Sequence, residues 1–183
     1  MKSLILLSGG MDSAACLFLH RSRGDEVSAL FVDYSQPAAT MERQAATRVV
    51  ARLGCPLQQA TIRSPRIEVG REVPGRNAML LTVALLEWAP TSGGVSLGIH
   101  AGSTYSDCTA SFVASMQTIY DFYSDGAVRV LAPFVTWHKS QIYDLIRRDR
   151  ELVDLCYACD LGTNPPCGSC PSCVDLRLVR ASA

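Results

Sequence analysis

An α/β fold, a doubly wound parallel sheet with helices on both faces, is predicted by three observations. Short apolar runs alternate with longer segments of helical period from residue 4 to residue 148, and such β-α alternation calls for parallel strands joined by helical crossovers. Hydrophobic residues make up 48% of the chain and charged residues 19%, a balance suited to strands buried on both faces. A loop of glycines and serines, Ser8-Gly9-Gly10-Met11-Asp12-Ser13, stands at the first strand-to-helix junction. Right-handed crossovers place the loops that follow strands along one edge of the sheet.

Residues 4–7 form an apolar run that reads as a buried strand, and residues 14–21 as the helix after the glycine loop. Residues 27–32 are the second strand and open into Asp33-Tyr34-Ser35-Gln36. A helix from about 40 to 53 follows, with Ala45, Ala46, Val49, Val50 and Leu53 on one face. Residues 57–62 are a weak strand. Pro74-Gly75-Arg76 opens a strongly apolar helix over 77–88. Residues 95–99 are a strand after a Ser-Gly-Gly turn, and 109–123 an amphipathic helix with Asp107 as its expected N-cap. Residues 128–131 are the last strand. The last long helix runs over 138–148, with Thr136 as its expected cap. From about Leu155 the chain is rich in Cys, Gly and Pro and loses its period. Residues 1–154 are therefore read as one α/β domain and 155–183 as a Cys-rich segment without a core of its own.

A length of 183 residues suits one domain with a sizeable core. The formal net charge is zero, so composition gives no reason to expect a nucleic-acid partner. No apolar run approaches the ~20 residues that cross a bilayer, and the run at 4–7 is too short for a signal peptide. A soluble, cytoplasmic protein with no membrane partner is expected. Five of the eight cysteines, Cys156, Cys159, Cys167, Cys170 and Cys173, crowd near the C-terminus. In a reducing compartment such crowding reads as a metal site, not as disulfides.

The glycine loop is built to hold an anion. Glycines let the backbone approach closely, and free N–H groups at the helix start face a phosphate. It is not a Walker loop, because the Gly-Lys-Ser/Thr ending is absent. It is not the dinucleotide fingerprint, because the Gly-x-Gly-x-x-Gly spacing is missing. The two serine hydroxyls and the backbone N–H groups suit a pyrophosphate. Asp12 is unexpected beside an anion. Contact with Mg²⁺ on the phosphates accounts for it; a simple N-cap is the competing role.

Ser8–Ser13 matches the PP-loop signature of the ATP pyrophosphatases, and further stretches resemble the 7-cyano-7-deazaguanine synthase (QueC) family in the same order. Asp33-Tyr34-Ser35-Gln36 resembles that family's Asp-Tyr-Gly-Gln, and Val73-Pro74-Gly75-Arg76-Asn77 its Val-Pro-Gly-Arg-Asn. Tyr105-Ser106-Asp107-Cys108 resembles its Tyr-Pro-Asp-Cys, and Cys167-Gly168-Ser169-Cys170-Pro171-Ser172-Cys173 its terminal zinc motif. The resemblance implies an adenine nucleotide alpha hydrolase-like fold, with ATP and Mg²⁺ at the loop and Zn²⁺ at the cysteines. It implies a ligase that adenylates the carboxylate of 7-carboxy-7-deazaguanine, releases pyrophosphate, and couples the acyl group to ammonia, with the amide then converted to a nitrile. It also implies a homodimer. By the same resemblance Ser8, Gly9, Gly10, Met11, Asp12, Ser13, Asp33, Gln36, Gly75, Arg76 and Asn77 bind the nucleotide, and Asp12, Arg76 and Lys139 serve the chemistry.

The residues speak to several of these roles directly. Cys167-x-x-Cys170-x-x-Cys173 places three thiolates in one tight turn, and a fourth completes a closed tetrahedral site. Cys156 and Cys159 both lie in reach. The family's first ligand follows a Leu-Val stretch by a short loop, which selects Cys159 and leaves Cys156 in reserve. Arg76 opens a helix, where it is placed to brace a phosphate or carboxylate bidentately. Lys139 lies in a first helical turn, where the dipole disfavours a cation, which points to a nearby anion. His100 follows a strand at the functional edge, and Cys108 is read as buried or as a wall of the substrate pocket.

The chain departs from the family around the substrate. The stretch between Ile62 and Val73 is short, Pro37-Ala38 replaces basic or histidine residues, and His100-Ala101-Gly102-Ser103-Thr104-Tyr105 carries no acid. These departures leave three alternatives open: transfer to another amine, such as one on a protein; a PP-loop tRNA sulfurtransferase; and a non-catalytic zinc- and ATP-binding module.

Overall fold

The computed structural model describes residues 1–63, 73–88 and 92–181. The short stretch between Ile62 and Val73 falls largely outside these residues. Among them, β1 (Lys2–Leu6), β2 (Glu26–Asp33), β3 (Leu57–Thr61), β4 (Gly93–Ser96) and β5 (Val128–Leu131) form one sheet in the order β3-β2-β1-β4-β5. Each neighbouring pair is parallel. The chain steps outward from β1 to β3 and then crosses back to lay β4 on the other side of β1. The order thus reverses between β1 and β4, where open α/β sheets leave a crevice outside the carboxyl ends of their strands.

Side chains along the strands alternate between two buried faces, as a period of two demands. Ile5, Leu7, Ala29 and Phe31 pack against α1 (Met11–Ser22), α2 (Ala39–Leu53), α5 (Lys139–Ile146) and α6 (Arg150–Leu155). Leu4, Leu6, Leu30, Val32, Val95 and Val130 pack against α3 (Arg76–Glu87) and α4 (Ala110–Ser124). No helix among the described residues is long and apolar enough to cross a membrane.

Five local expectations are corrected. β4 begins on Gly93-Gly94, expected as a turn, and ends at Ser96. Gly94 pairs with both β1 and β5 and Gly93 with β5, and such pairing outweighs turn propensity. Asp107 does not cap α4. Thr109 does, its hydroxyl accepting from Phe112 N–H at 3.2 Å. Thr136 does not cap α5 either: His138 is the N-cap, and the Gln141 side chain accepts from its N–H at 2.8 Å. The helix expected over 138–148 stops at Ile146, and Asp149 starts α6 by accepting from Leu152 N–H at 3.1 Å. Finally, the tail carries α7 (Pro171–Ala181). Pro171 suits a first helical position. The Asp160 carboxylate accepts from the Ser172 hydroxyl at 2.6 Å and from its N–H at 3.3 Å, and Leu176 and Val179 pack on the α1 side of the core.

Candidate active site and cysteine cluster

The glycine loop runs from β1 into α1, and α1 starts at Met11, earlier than its apolar period indicates. Gly9 has φ +81°, and a Cβ there would lie 2.6 Å from Glu42 O. α2 therefore packs against the bare backbone of the loop. Ser13 Oγ donates to Gly10 O at 2.9 Å and lies 3.2 Å from Ser8 Oγ, while Gly10 N–H reaches Ser8 Oγ at 3.3 Å. These bonds fold the loop back on itself at a helix start that has no side-chain cap. The first-turn N–H groups are thus left facing the crevice, where a phosphate fits them.

Asp12, in that first turn, meets a lysine and a histidine from two other elements. Its Oδ2 lies 3.5 Å from Lys139 Nζ at the start of α5 and 3.8 Å from His100 Nε2 beyond β4. His100 Nδ1 accepts from Gly102 N–H at 3.1 Å, which leaves the ring proton on Nε2, toward Asp12. Burial raises the Asp12 pKa, while Lys139 and His100 work to lower it. Burial acts to lower the Lys139 pKa, but Asp12 and Asp175 hold it above its ordinary value. Lys139 also pairs directly with Asp175 of α7. Asp12 Oδ1 is buried and, among the described residues, has no hydrogen-bond partner. An orphaned carboxylate oxygen beside a phosphate-shaped loop fits a hard divalent cation.

Arg76 is the first residue of α3 and Gly75, at φ +74°, its N-cap. Asn77, 5% exposed, fastens this helix start. Its N–H donates to Asp107 Oδ2 at 3.1 Å and its side-chain amide to Asp107 O at 3.0 Å. Asp107 therefore caps α3 across the fold, not the helix that follows it. Beyond β2, Gln36 is 9% exposed. Its Oε1 accepts from Tyr34 N–H at 2.8 Å, and its Nε2 donates to Glu42 Oε2 at 2.8 Å. Burial raises the pKa of Glu42, against the opposing effects of Gln36 and Arg76.

These groups line a cavity of two lobes. The first, about 310 Å³, has an apolar floor that includes Leu6, Leu30, Val32, Leu97 and Ile99 under the glycine loop. The second, about 520 Å³, is bounded by His100, Ser103, Thr104, Tyr105 and Cys108. Asp12, Arg76 and Lys139 border both. Of the residues singled out from sequence, Ser8, Gly10, Met11, Asp12, Ser13, Gln36, Arg76, Asn77 and Lys139 come together on the first lobe. Gly9, Gly75 and Asp33 are not among its lining residues. Asp33 Oδ1 accepts from Ser35 N–H at 3.0 Å, as a turn aspartate does. Met11, 3% exposed, is also part of the core. Sequence reading passed over Glu42, Tyr157, Asp160, Ser172 and Asp175, which line the lobes from α2 and the tail. The tail residues sit in a segment without period, and no local pattern reports that it folds back onto the loop.

The sulfurs of Cys159, Cys167, Cys170 and Cys173 all lie within 4.8 Å of one another. Backbone N–H groups point at them: Cys167 N–H at Cys159 Sγ (3.4 Å), Cys170 N–H at Cys167 Sγ (3.3 Å) and Asp160 N–H at Cys170 Sγ (3.4 Å). Burial pushes the Cys159 thiol up, but hydrogen bonds from Cys167 N–H, Thr163 and Leu161 bring it down to about 5. Four sulfurs this close fit one four-coordinate ion in a closed site. Cys156 stands apart. Its thiol donates to Leu152 O at 3.2 Å, packs against the core, and is pushed up to about 12 by burial.

The model of the family described as "Queuosine biosynthesis protein QueC" matches residues 2–71 and 68–180. The 7-cyano-7-deazaguanine synthase of Synechococcus sp. (strain CC9605) is 32% identical over 93% of this chain and 88% of that protein. The enzyme of the same name from Campylobacter jejuni subsp. jejuni serotype O:6 is 28% identical over 97% of this chain and 92% of that protein. Among solved structures, the U34-tRNA thiolase NcsA from Methanococcus maripaludis superposes with a TM-score of 0.57 at 16% identity, over 98% of this chain and 73% of that one. A predicted tRNA methyltransferase subunit from Methanocaldococcus jannaschii gives 0.59 at 14% identity, over 80% and 74%. The structural likenesses concern the fold alone. The family match and the near-complete coverage show that this chain belongs to the QueC family of PP-loop enzymes.

Proposed function

We propose that this protein is an ATP-dependent carbon–nitrogen ligase that activates the carboxylate of 7-carboxy-7-deazaguanine and couples it to ammonia, giving the amide and then 7-cyano-7-deazaguanine. The observation that carries the proposal is the two-lobed cavity at the strand-order reversal, with Asp12, Arg76 and Lys139 on the border of both lobes. A nucleotide in the first lobe and an acceptor in the second then meet at these three side chains.

In this proposal the α1 N–H groups, Ser8 and Ser13 hold the β- and γ-phosphates and the pyrophosphate that leaves. Lys139 exchanges its carboxylate partners for phosphate oxygens. Arg76 orients the substrate carboxylate against the α-phosphorus, where a bidentate fork fixes the angle of attack. Asp12 Oδ1 and its helix turn would hold Mg²⁺, which supplies positive charge to phosphate oxygens when bound. A carboxylate oxygen bonds to the α-phosphorus as the bond to pyrophosphate breaks. The ammonia nitrogen then bonds to the acyl carbon as AMP leaves, and a proton passes to solvent. In a second round the amide oxygen bonds to a new α-phosphorus, pyrophosphate leaves, and that oxygen departs with AMP as nitrogen sheds two protons. Positioning and electrostatics suffice, so no dedicated base is required. Cys159, Cys167, Cys170 and Cys173 would hold Zn²⁺ in a closed, structural site. The homodimer implied by the resemblance belongs to the same proposal, and analytical ultracentrifugation checks it.

A second reading keeps the activation and replaces ammonia with the amine of a larger molecule, a protein included. The acid-free loop from Ala101 to Tyr105 on the second lobe favours it. Incubation with ATP, Mg²⁺, 7-carboxy-7-deazaguanine and ammonium, followed by mass spectrometry, tests both. Nitrile supports the first reading. AMP with an adenylate or amide and no nitrile supports the second. No AMP with this acceptor overturns the ligase.

A further inference from the structure

None of the roles above assigns a group to the base of the acceptor. We propose that Glu42, oriented by Gln36, reads the donor edge of the deazaguanine, its adjacent N1–H and 2-amino group. The inference rests on the function proposed above.

A guanine-type base offers two N–H donors side by side on that edge. A carboxylate is the side chain that accepts both at once. Four carboxylates border the second lobe: Asp12, Glu42, Asp160 and Asp175. Three of them have other partners within the fold, and Asp12 keeps its second oxygen for the cation proposed above. Asp12 and Asp175 share Lys139. Asp160 uses both oxygens on Ser172 to cap α7. Glu42 differs. Among the described residues, Gln36 is its one hydrogen-bond donor, on Oε2. A carboxylate has about four acceptor positions, so Glu42, which lines both lobes with the Arg76 charge nearby, keeps capacity for further donors.

The orientation of Glu42 is built into the fold. Gln36 is buried and fixed at its own carbonyl by Tyr34 N–H, so the amide it turns toward Glu42 has one available direction. A group held by a locked neighbour is pre-organised, which is what selective recognition needs. A carboxylate removed from water is costly unless donors meet it. Donors arriving with the ligand offset that cost, and a base lacking one of them leaves it in place.

The test compares 7-carboxy-7-deazaguanine with its analogue lacking the 2-amino group, in wild type and in Glu42→Gln. Wild type is expected to favour the amino base in kcat/KM by about 10- to 100-fold, the range for a hydrogen bond to a charged group. Glu42→Gln, which keeps an acceptor for Gln36, brings the preference below about 3-fold, and its KM for ATP stays within about 2-fold of wild type. Glu42→Asp retains the preference at a higher KM for the base. Preserved discrimination in Glu42→Gln, or a loss that falls on ATP because Glu42 holds the ribose, overturns the assignment while leaving the ligase intact. A wild type that releases AMP with neither base overturns the acceptor reading itself, and this inference with it. Melting curves of the variants keep loss of fold apart from loss of recognition.

Discussion

Asp12 and Glu42 are the two carboxylates that the fold buries against the cavity and leaves short of partners, and each has a physical consequence. Asp12 has Lys139 and His100 near one oxygen and, among the described residues, no hydrogen-bond partner on the other, as expected where a ligand completes the charge balance. Glu42 titrates above its ordinary value of 4.5 because burial penalises its charged form. The folded chain therefore holds this proton more tightly than the unfolded chain does. Its stabilising contribution is complete below pH 4.5 and is lost as pH rises through the raised value. Glu42→Gln removes that dependence. Urea unfolding across this window should show wild type losing stability relative to the variant as pH rises; parallel curves would contradict it. The Asp33–Gln36 motif marked the neighbourhood in the sequence, but Glu42 did not stand out. An acid in the first turn of a helix is ordinary there, and only the folded cavity that Glu42 lines shows what it faces.

Among elements, the β-α alternation was legible throughout, because buried strands and amphipathic helices leave periods of two and 3.6. The ends were less so. Asp107 looked like a local cap by its spacing, yet it serves α3, thirty positions earlier in the chain. Caps depend on where a carboxylate points, which tertiary contacts decide. Asp107→Ala should cost about 2 kcal/mol, since it strips a buried helix start, and Thr109→Ala about 1 kcal/mol. Chemical denaturation measures both, and the reverse order would count against the assignment. Gly98 joins the two strands of the crevice in the same way. A Cβ there would lie 2.7 Å from Asp12 O, so α1 and the exit of β4 touch backbone to backbone. Gly98→Ala is expected to destabilise by roughly 1–3 kcal/mol and to reduce pyrophosphate release out of proportion to that loss, because the displaced turn is the one that carries Asp12. A pyrophosphate assay at matched folded fraction checks this.

At the scale of the molecule, the cysteine segment is a wall of the cavity. Tyr157 N–H donates to Gly9 O at 3.0 Å, inside the phosphate loop. A Cβ on Gly162 would fall 2.4 Å from Pro37 O, so the tail also presses on the segment after β2. Tyr157, Asp160 and Ser172 line the first lobe. A metal that organises the four thiolates then organises the nucleotide site as well. Stripping it with a chelator, or Cys170→Ser, should weaken ATP binding roughly tenfold or more, about 1.4 kcal/mol, while β1–β5 stay folded. Calorimetry of ATP binding, with metal content and far-UV circular dichroism in parallel, gives the outcome. Unchanged affinity after complete metal loss would separate the two sites. By itself the sequence determined the α/β class, the phosphate loop and the cysteine spacing, because each is written in neighbouring residues or in a short period. The structure brings Cys159, chosen over Cys156 by its spacing in the resembling motif, into the cluster as the fourth thiolate. Only the tertiary structure decided that Asp107 caps α3 and that the tail closes over the loop at residues 8–13. Those outcomes depend on contacts between segments far apart in the chain, and such contacts leave no local signature.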